Sequence, residues 1–138
     1  MTPAPPRPPG WEARLADVVA RYQAGDFVWG AADCAHFAGD AAAAVAGEDR
    51  LADLRGLYDG PRSAARALLK LHCRDLGDVF ALRFQEMPPA HARAGDIGVL
   101  RAGPVVSGCV ILGAQAAGAG ERGLVRFPRS LLLRAFQV

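Results

Sequence analysis

Apolar positions at helical spacing dominate the first half of the chain, and short β-branched runs dominate the second. Trp11, Leu15, Val18, Val19 and Tyr22 predict an amphipathic helix over residues 11–24, with Gly25 as its C-terminal cap. Residues 35–46 are rich in alanine around Phe37 and Val45, which predicts a second helix starting near Asp33 and ended by Gly47. Residues 51–60, holding Leu54, Leu57 and Tyr58, read as a loop or short helical turn. Pro61 suits a first helical position. Residues 63–72 then read as a third helix with Ala64, Leu68, Leu69 and Leu71 inward.

After Pro88-Pro89 the period changes. Residues 97–100 and 105–112 are short apolar runs separated by Ala102-Gly103-Pro104, a turn signal. Residues 115–117 and 123–127 are further predicted strands, with turns at 118–120 and 121–123. Residues 131–138 read equally as a short helix or a closing strand. Helices followed by a small antiparallel sheet predict an α+β fold with the helices packed on one side of the sheet. One domain over residues 11–138 is expected. Residues 1–10 carry five prolines and read as a flexible, extended arm.

Composition narrows the function classes. Of the 138 residues, 51% are hydrophobic and 22% charged, which describes a globular chain able to bury a core without staples. The net charge of +2 comes with arginines scattered throughout, so no nucleic-acid surface is expected. No stretch reaches the roughly 18 apolar residues of a membrane span, and the proline-rich start does not read as a signal peptide. The expectation is synthesis and folding in the cytosol. The cysteines, Cys34, Cys73 and Cys109, are odd in number and widely spaced, which argues against a disulfide framework or a zinc site. Cys73 and Cys109 read as small buried hydrophobes. No metal or cofactor is expected.

The candidate chemistry begins at Cys34. Phe27, Trp29 and Gly30 form an aromatic turn that runs through Asp33 into the second helix. Cys34 then lies in the first helical turn, where free N–H groups and the helix dipole favour a thiolate and a developing oxyanion. Asp33 can cap that helix, although its charge opposes a thiolate. A nucleophilic cysteine also needs a base. His36 is two residues from Cys34 on the same helix and does not face it. His72 ends the third helix. His91, in the loop before Gly95-Asp96, is the candidate base by elimination.

The pattern Phe27-x-Trp29-Gly30-x-x-Asp33-Cys34, followed by Ala94-Gly95-Asp96-Ile97-Gly98-Val99-Leu100, resembles the NlpC-type cell-wall peptidases, a papain-fold family that cleaves peptide bonds in peptidoglycan. The chain is also similar over nearly its whole length to small proteins encoded among tail genes of phages, prophages and gene-transfer agents. That similarity includes Leu54-Arg55-Gly56-Leu57-Tyr58, Gly123-Leu124-Val125 and Phe136. The resemblance implies Cys34 as nucleophile, Trp29 and Gly30 at the substrate, and tail or hub proteins and peptidoglycan as partners. It implies a virion or tail particle as the final location, and a proline-rich arm suits threading between subunits.

One departure bears on activity. In the peptidases the catalytic histidine opens the strand after the Gly-Asp strand. Here that position falls at Ser107 or Gly108, neither of which is a general base. The third polar residue has only Gln115 as a nearby match. Loss of the base forfeits an acid–base factor of roughly 10²–10⁴. The sequence therefore points to a degenerate tail-associated NlpC-like domain, with an active endopeptidase or amidase on Cys34 as the alternative.

Overall fold

The computed structural model describes residues 6–138, and its fold is α+β. Helices α1 (Trp11–Ala24), α2 (Cys34–Ala46), α3 (Pro61–Lys70) and α4 (Leu76–Ala81) come first. Strands β1 (Glu86–Met87), β2 (Ile97–Ala102), β3 (Val105–Ile111), β4 (Gln115–Gly120), β5 (Gly123–Pro128) and β6 (Leu132–Phe136) follow. They form one antiparallel sheet in the order β1-β6-β2-β3-β4-β5. Among the described residues, no helix is long and apolar enough to cross a membrane.

The core explains the arrangement. α2 is alanine-rich, so it approaches the sheet closely. Phe37, Ala38, Ala41 and Val45 are fully buried against Ile97, Val99, Val110 and Ala117. Tyr22 of α1 packs on Phe37 with ring centroids 4.9 Å apart, and Phe80 of α4 packs edge-on to Phe136 at 5.7 Å. Strand alternation gives the sheet a second buried face. Leu100, Cys109, Ile111 and Ala116 pack there with Met87, Ala92 and Leu132. Cys73 and Cys109 are buried free thiols, and burial pushes Cys109 up to about 12.

Several predicted boundaries move. α3 occupies Pro61–Lys70, so it starts at its proline, and His72 follows in the left-handed conformation at φ 57°. α4 has no strong period of its own in the sequence. It forms because Asp75 caps it, accepting from Gly77 and Asp78 N–H, and because Phe80 is buried. Gly118-Ala119-Gly120 is strand rather than turn, because residues 118–120 pair with 123–125 and leave Glu121-Arg122 as the turn. The closing segment is a strand, drawn in by pairing with both β1 and β2.

The proline-rich segment also differs from expectation. Residues 1–5 lie outside the described residues. From Arg7 onward the segment is anchored rather than a free arm. The Arg7 side chain donates to Val138 O at 3.1 Å, Ala94 O at 2.7 Å and Asp96 Oδ1 at 3.1 Å. Its guanidinium also stacks 4.3 Å from the Trp11 ring. Asp96, almost fully buried, additionally accepts from Arg93 N and Val138 N. The Gly95-Asp96 turn thus ties Arg7, near the start of the described residues, and Val138 to the sheet.

Candidate functional site

Asp33 organises the site. As N-cap of α2 it accepts the His36 N–H at 2.8 Å, and it also accepts Gly30 N–H at 2.9 Å and the Tyr58 hydroxyl at 2.7 Å. The His36 ring completes the shell, with Nδ1 2.7 Å from Asp33 Oδ1. Burial alone would raise the Asp33 carboxyl, but the Tyr58 hydroxyl and the His36 and Gly30 donors override it and hold it below its usual value. The same contact pushes the Tyr58 phenol up: burial acts first, then the bond to Asp33.

Gly30 is required twice. Its φ is 79°, and any Cβ there would strike the carbonyl oxygen of Tyr58. The turn therefore lies directly on the Tyr58 segment. Trp29 stands above it, 42% exposed and edge-on to Phe27 at 5.3 Å and Tyr58 at 6.4 Å.

Cys34 occupies the first position of α2 and faces β3. β3 pairs with β2 from Val105 to Val110 but with β4 only at Val110 and Ile111, so β4 does not pair with the stretch of β3 that holds Ser107 and Gly108. Burial raises the Cys34 pKa, and the nearby Asp33 charge adds to that. The Gly108 backbone, the Ser107 hydroxyl and the Ala35 N–H pull it down, and the net shift is upward. Burial thus outweighs the pull of the helix N-terminus on the thiol. Gly108 is needed for contact: a Cβ there would lie 2.8 Å from Leu76 Cδ2 and 3.0 Å from the Cys34 carbonyl oxygen. A histidine at 108 does not fit without displacing α2 or α4.

The two positions expected at the missing histidine, Ser107 and Gly108, thus both meet Cys34. His91 does not. It is exposed in a 3-10 turn over Pro89–His91, and Arg129 pins that turn through the Pro89 and Ala92 carbonyls. It is outside the cavity that Cys34 lines. Gln115 is exposed and also outside it. Asp33 does orient a histidine, but that histidine is His36. The signal was the three-residue spacing from an N-cap carboxylate, which places both side chains on one side of the first turn. Tyr58 carried no local signal, because its role needs the loop to fold over Gly30.

Cys34, His36 and Tyr58 open onto a cavity of about 730 Å³ between α2, α3 and the β2–β3 hairpin. Its walls are mainly aliphatic, including Leu54, Leu68, Leu76 and Val106.

A family model described as a domain of unknown function, DUF6950, matches residues 6–138. The chain belongs to the DUF6950 family. No curated protein and no solved structure matches it. The DUF6950 match covers every element that builds the site, from Arg7 to the closing strand β6.

Proposed function

We propose that this DUF6950 protein is a degenerate NlpC-like, papain-type domain that serves in a phage-type tail tip or hub, in assembly or in cell-wall passage. The Trp29-Gly30-x-x-Asp33-Cys34 motif supports the peptidase ancestry, because it folds as a capped helix start with the cysteine at its first position. The observation that carries the loss of activity is the partner of the thiol. Where a base is needed, Cys34 meets a serine hydroxyl and a glycine backbone, and its pKa is raised rather than lowered.

The test is alkylation of Cys34 by iodoacetamide across pH, alongside turbidity clearing of purified peptidoglycan. A reactivity midpoint at or above the free thiol value of about 8.5 with no clearing is expected. A midpoint near 6–7, with clearing abolished by Cys34→Ala, would overturn the reading.

One observation favours the alternative, an active endopeptidase on Cys34. His36 lines the same cavity, and its Nδ1 is held by Asp33. In that case His36→Ala abolishes clearing and His91→Ala leaves it unchanged.

A further inference from the structure

His36 carries an acceptor that nothing in the fold uses. Its side chain is only 8% exposed and lines the cavity beside Cys34. Asp33 can only accept, so in the neutral ring Nδ1 carries the proton, 2.7 Å from Asp33 Oδ1, and Nε2 carries the lone pair. Nε2 has no hydrogen-bond partner among the described residues. No side-chain polar atom among them is both sealed from solvent and unpartnered, so Nε2 reaches the cavity. A nearly buried acceptor without a partner is costly, and a donor on a ligand removes that cost.

The His36 ring also begins a chain of aromatic contacts. It meets Tyr58 at 5.8 Å, Tyr58 meets Trp29 at 6.4 Å, and Trp29 meets Phe27 at 5.3 Å. All four rings line the cavity. Successive rings stand at 61°, 77° and 80°, so they form a corner instead of a flat stack. Behind the corner lies Asp33, buried and held below the usual carboxylate range. Among the described residues no arginine or lysine pairs with it. The cations of the cavity wall are already engaged: Arg55 by Asp40 and Asp49, and Arg74 by Asp78. With the His36 ring neutral, the uncompensated charge at this corner is negative.

We propose that the corner binds the ammonium of a primary alkylamine. One N–H donates to His36 Nε2, the charge lies against the Trp29 and Tyr58 rings and the Asp33 carboxylate, and the alkyl chain runs along the aliphatic wall. Ring quadrupoles attract cations, most strongly at tryptophan, and more so where water is excluded. An alcohol satisfies Nε2 but gains nothing from the rings or the carboxylate. A carboxylate ligand meets charge of its own sign. Leu68, Leu76 and Val106 in the same wall take up the chain. Binding here rests on the non-catalytic reading of the cleft. It is measured without turnover, so its failure is separable from any result on Cys34 reactivity or peptidoglycan clearing.

Titration calorimetry and tryptophan fluorescence of the full chain with hexylammonium, hexanol and hexanoate test the assignment. Hexylammonium should bind and perturb Trp29, with hexanol and hexanoate weaker by about tenfold or more. Affinity should rise about fourfold per methylene from butylammonium through pentylammonium to hexylammonium. Hexyltrimethylammonium, which has no N–H, should bind about tenfold more weakly than hexylammonium. Trp29→Ala should keep its helical circular dichroism, because the side chain is exposed at a turn, and weaken hexylammonium about tenfold. Trp29→Phe keeps a ring and should lose less. Trp11 lies outside the cavity, so its emission should stay unchanged in both variants. A Gly-Lys-Gly peptide with blocked ends separates the sources of the ammonium: binding as tight as hexylammonium assigns it to a lysine of a protein partner, and no binding assigns it to a free amine.

Equal affinity for hexanol or hexanoate, no dependence on chain length, or unchanged affinity in both Trp29 variants would each overturn the proposal. Absence of hexylammonium binding at millimolar concentration would also overturn it. Hexyltrimethylammonium binding as tightly as hexylammonium would overturn the role given to His36.

Discussion

Replacing Arg7 with methionine tests whether the proline-rich segment is part of the folded domain. The side chains of Arg7 and Asp96 are only 5% and 1% exposed, and their ion pair joins the start of the described chain to the turn before β2. Arg7→Met keeps much of the aliphatic volume. It removes the bonds to Val138 O, Ala94 O and Asp96 Oδ1, and the stacking on Trp11. Breaking a buried pair by deleting one partner costs about 3–5 kcal/mol, because the remaining charge stays buried. Asp96 keeps the Arg93 and Val138 N–H donors, which places the expected loss at the lower end, about 3 kcal/mol. With a urea m-value of about 1.5 kcal/mol per M, the unfolding midpoint falls by about 2 M. The control is Arg21→Met. Its pair with Asp40 is exposed, so a loss of under about 1 kcal/mol is expected. The second substitution in Arg7→Met/Asp96→Asn removes the stranded charge and should recover part of the loss. If Arg7→Met costs no more than the Arg21 control, the anchoring argument is wrong.

Three further outcomes are expected. Because the folded Cys34 thiol titrates above the unfolded one, its contribution to stability is intact below about pH 8.5 and falls as pH rises beyond it. Cys34→Ala should make that alkaline limb shallower in urea titrations, with buried Cys109 and Tyr58 supplying the remainder, and an unchanged limb would refute the assignment. Asp33 has a depressed folded pKa, so its stabilisation holds above about pH 3.9 and is lost as pH falls through the folded value. Tyr58→Phe removes a donor to this carboxylate. It should raise the acid-unfolding midpoint and cost about 1–3 kcal/mol at pH 7, whereas an unmoved midpoint would deny Tyr58 that role. Gly108→Ala forces a Cβ against Leu76 and the Cys34 carbonyl and should cost about 1–3 kcal/mol by thermal or urea unfolding. A neutral result there would mean that α2 does not approach β3 as closely as described.

Local signals carried much of the fold. The first helix was legible because a single turn's spacing repeats from Trp11 to Tyr22, and β2 and β3 because β-branched runs flank Gly103-Pro104. Segments whose structure depends on distant partners were harder to read. Residues 118–120 contain two glycines and look like a turn, but pairing with β5 satisfies their backbone groups and makes them strand. β6 was ambiguous for the same reason, since strands far away in sequence hydrogen-bond it. His91 followed from elimination among three histidines, and elimination has no access to distance.

The sequence by itself determined the site's frame: a capped helix start at Asp33, a cysteine one residue on, and no histidine at the strand that meets it. Those features depend on residue identity and on spacings of a few residues, where backbone geometry is fixed. Tertiary structure alone decided what surrounds the thiol. Folding of the Tyr58 loop onto Gly30 completes the shell of Asp33, and the close approach of β3 sets Gly108 and Ser107 on Cys34. Burial then raises the thiol's pKa against the pull of the helix N-terminus. Desolvation and long-range packing depend on every neighbour at once, which a linear pattern of residues does not encode.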